Sequence, residues 1–489
     1  MSKITTIIDI GSNSMRMVVL EKSSRFAFSL INETKSRVKI SEGCYENGGN
    51  LQEIPMQRAY EALKSFLSIS KALKSRKILC VATSALRDAP NSKIFLNRVK
   101  HDLGLNIKII NGEKEAYFGG VATSNLLPDD NFVTLDIGGG STEFCFIKDG
   151  KITKSISLDI GTVRLKELYF NKNNLEDAKN YILNNLKKVY DLNEDIPEKV
   201  VGIGGSIRFL SKLIMEKNSY PLDAIHGFTY NVQQESKLFS NILNTKTIED
   251  LELLGVKKDR FDTIKEGTFI FKTIIDELKI KTVVTSGVGV REGVYLTDLL
   301  RNSNHKFPAN FNVSVRSLLD RFELDAKQSA YLGKNAREIF DILKPIHKLD
   351  DKYRTFLVVA SKLHSIGTKI NFYKSNDNAF EFILNGLSYG IFHSSRVVVA
   401  YILKFSKKTL PKQKDLELYQ ELLPDLETMQ WLSFMQSLNL AINIDFSRVK
   451  VDYSLENTTL KLCLPNKSFL VQSYIEKLEL PKNFNLEIL

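Results

Sequence analysis

Cysteine is scarce. The 489-residue chain has four, Cys44, Cys80, Cys145 and Cys463, widely spaced and without a Cys-x-x-Cys pair. A disulfide framework or a cysteine zinc site is therefore not expected, and a reducing cytoplasm is the expected compartment. Long apolar runs are also lacking: the stretch around Val397 to Leu403 falls far short of the ~20 residues a membrane span needs, so no membrane association is expected. The opening segment, MSKITTIIDIGSNS, runs straight into a strand-like run and has neither the apolar core nor the cleavage site of a signal peptide. A hydrophobic fraction of 43% with 26% charged residues excludes a largely disordered protein. The net charge of +11 favours an anionic partner without identifying one. That charge is spread along the chain with no nucleic-acid reading motif beside it, so nucleic-acid binding is not expected.

What the chain does contain is a regular alternation. Ile4 to Ile10, Arg16 to Leu20, Ile78 to Ala82, Ile107 to Ile110, Phe132 to Ile137, Glu143 to Ile147, Lys199 to Ile203 and Thr282 to Thr285 read as strands. Pro55 to Lys74, Ser92 to Leu103, Leu175 to Lys188, Ser206 to Met215 and Ile264 to Leu278 read as helices. Strands interleaved with helices of this length predict an α/β architecture. A repeat sharpens it: Ile7-Ile8-Asp9-Ile10-Gly11-Ser12-Asn13-Ser14 and Thr134-Leu135-Asp136-Ile137-Gly138-Gly139-Gly140-Ser141 share an apolar run, Asp-Ile-Gly and a small-residue turn. A second apolar run follows each, Met17 to Leu20 and Phe144 to Ile147, so each copy predicts a strand, a phosphate-sized turn and a returning strand. Two similar halves would face two glycine-rich loops across a cleft. The expected domains are 1–126, 127–302 and, after the polar segment ending at Pro308, 308–489. This last domain is mainly helical from Val313 to about Ser437, with hairpin-like alternation over Lys450 to Val471.

The glycine turns are where chemistry is expected. In Asp136-Ile-Gly-Gly-Gly-Ser-Thr142 the backbone turns sharply enough to aim N–H groups at an anion, and Ser141 and Thr142 add hydroxyl donors. Asp136 and Glu143 flank the loop and would repel a phosphate unless a Mg2+ ion lay between them. Val200-Val-Gly-Ile-Gly-Gly-Ser206 runs from a strand into a helix start, a ready anion site or a turn that needs glycine for geometry only. Thr285-Ser-Gly-Val-Gly-Val-Arg-Glu-Gly293 is ranked as a tight turn before a ligand site. Arg87, at the end of Ala82-Thr-Ser-Ala-Leu-Arg87, is placed to grip a phosphate or is a surface charge. Glu113 and Glu115 follow Asn111 at a helix start. Either is suited to polarising a water or to serving as a first-turn acid favoured by the helix dipole, and spacing alone does not choose between them.

Taken together, IDIGSNSMRMVV, ATSALRDAPN, IINGEKEA, LDIGGGSTEF, SLDIGTVRLKE, GIGGSIR, HGFTYN, RFDTIKEG and SGVGVREGV resemble the exopolyphosphatase/guanosine pentaphosphate phosphohydrolase family of the actin-like ATPase superfamily, in order, over about residues 4 to 297. The resemblance implies two actin-like (ribonuclease-H-like) domains flanking a cleft, and stepwise hydrolysis of a terminal phosphoanhydride. Carried over by position, it implies Glu115 as catalytic base and Arg87 as the phosphate-gripping arginine. It implies Gly11, Ser12, Asn13 and Ser14, then Gly138, Gly139, Gly140, Ser141 and Thr142, then Gly204, Gly205 and Ser206 as phosphate loops. Asp136 and Glu143 match an acidic pair associated with metal, and Asp9 is taken as a third ligand of Mg2+ or another divalent cation. The tail resembles an HD-phosphohydrolase-like extension with a decayed motif: Leu363-His-Ser-Ile-Gly367 has Ser365 where the aspartate would stand, and a second active site is not expected among His347, His364 and His393. The expected substrate is inorganic polyphosphate, with guanosine pentaphosphate as the alternative or a second substrate, and the expected assembly is a homodimer. An actin-like sugar or acetate kinase and a non-catalytic nucleotide sensor are the competing readings. The joint presence of Glu115, Asp136, Glu143 and Arg87 argues against a sensor.

Overall fold

A computed structural model describes residues 3–465 and 468–489. The chain forms two compact units that meet in sequence between Phe311 and Asn312.

The first unit is built on two sheets. Strands β1 (Lys3–Ile10), β2 (Met15–Lys22), β3 (Phe28–Ser36), β4 (Lys77–Ala82) and β5 (Ile107–Ile109) form one, in the order β3-β2-β1-β4-β5. Strands β6 (Phe132–Ile137), β7 (Thr142–Lys148), β8 (Lys151–Leu158), β9 (Lys199–Ile203), β10 (Thr229–Asn231) and β11 (Thr282–Thr285) form the other, in the order β10-β11-β9-β6-β7-β8. Stripped of β10, the second sheet repeats the first: three antiparallel strands, then two joined in parallel. The repeat extends to register, with Asp9 opposite Arg16 in the first hairpin and Asp136 opposite Glu143 in the second.

The central strands read as unbroken apolar runs because both of their faces are covered. Ile7, Ile8, Ile10, Val133 and Leu135 are fully buried. Strands β3 and β8, absent from the sequence reading, lie at sheet edges, where one face meets solvent and polar residues alternate with apolar ones. The helix Val290–Leu299 was also missed, because the glycine-dense segment before it reads as a turn.

Helix packing interleaves the two halves. The helix Gly112–Leu126 follows the last strand of the first sheet yet packs on β7 and β8 of the second. There Ala116 joins Cys145, Val201 and Ile203 in a buried cluster. The helix Val290–Leu299 follows the second sheet yet packs on β1 and on Gly112–Leu126. The two helices touch backbone to backbone: a Cβ on Gly293 would lie 1.9 Å from the Phe118 carbonyl oxygen.

The second unit, Asn312–Leu489, is mainly helical. Ala326–His347, Lys352–Leu363, His393–Lys404 and Leu426–Ile442 surround a core containing Ile339, Phe340, Leu357, Val399 and Met435. Strands β12 (Asp452–Glu456) and β13 (Thr459–Cys463) form the expected hairpin, and β14 (Asn485–Ile488) adds a parallel strand that the sequence reading did not contain.

The Gly293 contact yields a test of the interleaved packing. Gly293→Ala must push apart two helices that meet through their backbones, at the ~1–3 kcal/mol typical of an overpacked core. A lowered midpoint in denaturant unfolding is expected, and an unchanged midpoint would mean that the helices are not in contact there.

Candidate active site

The two hairpin turns face each other in the first unit. Gly11 N–H donates to the Ser14 carbonyl at 3.3 Å and Gly138 N–H donates to the Ser141 carbonyl at 2.9 Å, so both loops are closed by the same bond. They approach so closely that a Cβ on Gly139 would stand 2.8 Å from the Ser12 Cβ. The third turn starts the helix Gly204–Lys217, with Gly204 at φ +87, a conformation open to glycine at little cost. Between these turns is a cavity of about 150 Å³.

Asp9, Gly11, Ser12, Asn13, Ser14, Glu115, Asp136, Gly138, Gly139, Ser141, Glu143, Gly204, Gly205 and Ser206 all line this cavity. Three of the expected residues are not in its wall. The Thr142 hydroxyl donates to the Ile160 carbonyl at 2.6 Å, so the side chain expected to bind phosphate is used in holding the strand end. The Gly140 carbonyl accepts from Arg164 Nε at 2.8 Å. Arg87 is the last residue of a short helical turn, Ser84–Arg87, that follows β4. It reaches the site through Glu115, donating from Nη1 to Oε2 at 3.1 Å.

Glu115 and Glu113 separate by geometry. The side chain of Asn111 accepts from the Lys114 backbone N–H and caps the helix Gly112–Leu126, whose first turn carries both acids. Glu113 is exposed, whereas Glu115 is buried and faces the cavity. Burial raises the Glu115 pKa well above the ordinary value, Glu143 raises it further, and Arg87 opposes the rise. Glu143 accepts from the Ser157 hydroxyl at 2.7 Å. Burial, then the neighbouring Asp136, push its pKa to about 8. Burial likewise raises Asp136, and lifts Asp9 to about 6 against the pull of Arg291 and Arg16.

Cationic residues that the sequence reading did not single out share the wall: Arg16, Lys35, Arg208, Arg260 and Arg291. Four of them lie inside the quoted motifs, but no local pattern says which charges turn inward. Arg208 donates to the carbonyls of Ser286 and Val288 at 2.6 and 3.0 Å, and burial lowers its pKa to about 10. Arg291 donates to Glu33 at 2.7 Å. The turn ranked as structural, Thr285 to Gly293, therefore supplies both an anchor for Arg208 and a wall residue, Arg291.

Among the described residues, no three His, Cys, Asp or Glu side chains are gathered as a ready-made metal cage. Carboxylates stand around the cavity instead, and Asp9 Oδ1 is shut off from solvent without a hydrogen-bond partner. In the second unit the imidazole of His347 donates from Nε2 to the Phe340 carbonyl and accepts the Leu349 N–H at Nδ1. Burial pushes the His364 pKa to about 4. No helix among the described residues is long and apolar enough to cross a membrane.

The chain is similar to known proteins in sequence and in fold. A guanosine-5'-triphosphate,3'-diphosphate pyrophosphatase of Photobacterium profundum is 25% identical over 424 residues, covering 84% of this chain and 82% of that protein. The crystal structure of the Aquifex aeolicus member of the Ppx/GppA family is 28% identical, covers 62% of this chain and 99% of its own, and superposes with a TM-score of 0.52. An exopolyphosphatase from Cytophaga hutchinsonii shares the fold at 21% identity and a TM-score of 0.57, over 61% of this chain and 98% of its own. Residues 312–484 match domain III of Ppx/GppA phosphatases. Residues 18–302, more than half of the chain, match the Ppx/GppA phosphatase family itself, and the protein belongs to that family.

Proposed function

We propose that the protein hydrolyses the terminal phosphoanhydride bond of inorganic polyphosphate and releases orthophosphate. The observation that carries this reading is Glu115: a buried carboxylate bonded to Arg87, in the wall of a cavity formed by glycine turns and cationic side chains. The backbone N–H groups and hydroxyls of Ser12 to Ser14, of Gly139 and Ser141, and of Gly204 to Ser206 bind the phosphates. Arg16, Arg208 and Arg291 balance their charge. Glu115 orients a water and takes its proton as the water oxygen bonds to the terminal phosphorus. The bridging P–O bond breaks, and the shortened chain leaves with the bridging oxygen. Positioning and electrostatics are enough for such a transfer.

Asp9, with its unpartnered oxygen, and Asp136 and Glu143 fit a hard divalent cation, which is commonly held by one or two carboxylates together with substrate phosphates and water. Bound there, Mg2+ would offset negative charge on the phosphoryl group.

A second reading, hydrolysis of guanosine pentaphosphate at its 5' end, is supported by the Photobacterium relative. A neighbouring cavity of about 320 Å³ also supports it. That cavity shares Ser12, Asn13 and Thr263 with the first, and carries Glu42, Glu46, Glu167 and Asp262 against Lys39 and Lys166. A continuing polyanion would meet carboxylates there, whereas a nucleoside would offer N–H donors.

Phosphate release from the two substrates in competition decides between these readings. Glu115→Gln should cut turnover ~10²–10⁴-fold, the usual loss for a general base, with binding retained. Wild-type turnover in that variant would overturn the assignment of the base. Because the Glu115 pKa is raised, activity should fall as pH drops through a limb above the ordinary glutamate value of 4.5.

Protonation also links to stability. The Glu143 pKa rises from 4.5 to about 8 on folding, so its contribution is fully present below 4.5 and is lost as pH rises through about 8. The Tm of ligand-free protein should therefore fall from pH 5 to pH 8, less steeply in Glu143→Gln. Mg2+ should raise the Tm more at pH 8 than at pH 6, relative to NaCl of equal ionic strength, and less in Asp9→Asn. An equal shift in wild type and Asp9→Asn would remove Asp9 from the cation site.

A further inference from the structure

Arg164 is not in the cavity wall, yet its guanidinium joins both lobes of the first unit. It lies on the short helix Thr162–Leu168 and is largely covered, at 14% side-chain exposure. Nε donates to the Gly140 carbonyl at 2.8 Å. Nη2 donates to Asp88 Oδ2 at 2.8 Å and to Asp159 at 3.2 Å, and the group stacks 4.8 Å from the centre of the Tyr45 ring. The backbone reinforces the first contact: the N–H groups of Thr162 and Val163 donate to the carbonyls of Gly138 and Gly139 at 3.1 and 2.8 Å.

Asp88 is the hinge of the arrangement. While Oδ2 accepts from Arg164, Oδ1 accepts from Arg87 Nε at 3.2 Å, and Arg87 reaches onward to Glu115 and to the Ile110 carbonyl. One carboxylate thus orients two guanidinium groups, one oxygen for each. Charge-assisted bonds of this kind give directional constraint as well as energy. A chain of contacts runs from the second lobe's phosphate loop at Gly140, through Arg164, Asp88 and Arg87, to Glu115.

We infer that Arg164 is a positioning residue: through Asp88 it holds Arg87 against Glu115, in register with the Gly138 to Ser141 loop of the opposite lobe. The inference rests on the hydrolase reading above. A purely structural tie between lobes would produce the same contacts but a different response to mutation. Without Arg164, Asp88 is free to turn, Arg87 loses one of its anchors, and the base is no longer fixed relative to the phosphate loop. Displacement of about 1 Å at a reacting group can cost about 10²-fold in rate.

The test is a double-mutant cycle of Arg164→Ala and Arg87→Ala, assayed by phosphate release, with thermal unfolding of each variant. Arg164→Ala should lower kcat by up to about 10²-fold, with far less change in KM, and should add little loss in the Arg87→Ala background. Arg164→Lys should restore part of the activity. Asp159→Ala removes the third contact of the same guanidinium and should leave kcat unchanged. Asp88→Asn should reproduce the Arg164→Ala defect, and it decides the matter if Arg164→Ala fails to fold. Equal losses in both backgrounds, or losses that track Tm, overturn the positioning role alone. Wild-type protein that releases phosphate from neither substrate overturns the hydrolase reading and this inference with it.

Discussion

A cavity walled by carboxylates has to withstand its own desolvation, and the rest of the first unit is arranged around that demand. Asp9, Glu115, Asp136 and Glu143 all have their pKa values pushed upward, with burial as the largest cause in each case. Withdrawing charge from water is costly unless opposite charge or a proton compensates. Arg16, Arg208 and Arg291 supply part of that compensation, and protons on the acids supply another part. On the function proposed above, a phosphoryl group arriving with a divalent cation would bring both signs of charge at once and could displace the protons. On that reading, the cost of burying these acids and the cavity's suitability for a phosphate–cation pair would have the same cause.

The interleaved helices explain how the site draws on both halves. Glu115 belongs by sequence to the stretch after the first sheet, but its helix lies on β7 and β8, which brings it beside Glu143. Arg291 follows the second sheet, but its helix lies on β1, and its guanidinium bonds Glu33 on β3. Each half sends one charged side chain into the other, so neither half contains a complete site. Backbone contact at Gly293 keeps the two exchanged helices at the distance this requires.

The sequence was most informative where geometry is local. Apolar runs ending in Asp-Ile-Gly mark β1 and β6, and small residues mark the turns, because tight turns restrict residue type directly. Strands β3 and β8 were hidden by their edge positions, where alternating lysine, serine and threonine resemble loop composition. Inward-facing charge was the least legible property. Arg208 sits on the helix Gly204–Lys217 between Ile207 and Phe209, and the tertiary approach of Ser286 and Val288 is what marks it as interior. Thr142 shows the converse: a hydroxyl in a glycine-rich loop suggests a phosphate donor, but it is committed to the Ile160 carbonyl, a partner 18 residues away.

The repeat also shows how a symmetric scaffold supports asymmetric chemistry. Both hairpins have an aspartate on the outgoing strand and a turn closed by the same backbone bond. They differ at the residue opposite that aspartate, which is Arg16 in one and Glu143 in the other. Burial raises the Asp9 pKa to about 6 against the pull of Arg291 and Arg16, whereas burial and the neighbouring Asp136 push Glu143 up to about 8. Glu143 in turn raises Glu115. Glu115 and Glu143 are therefore strongly inclined to hold a proton, and Arg16 and Arg291 offer positive charge to Asp9 and Asp136 alike. Hydrolysis needs both, an anion fixed on one side and a proton acceptor on the other.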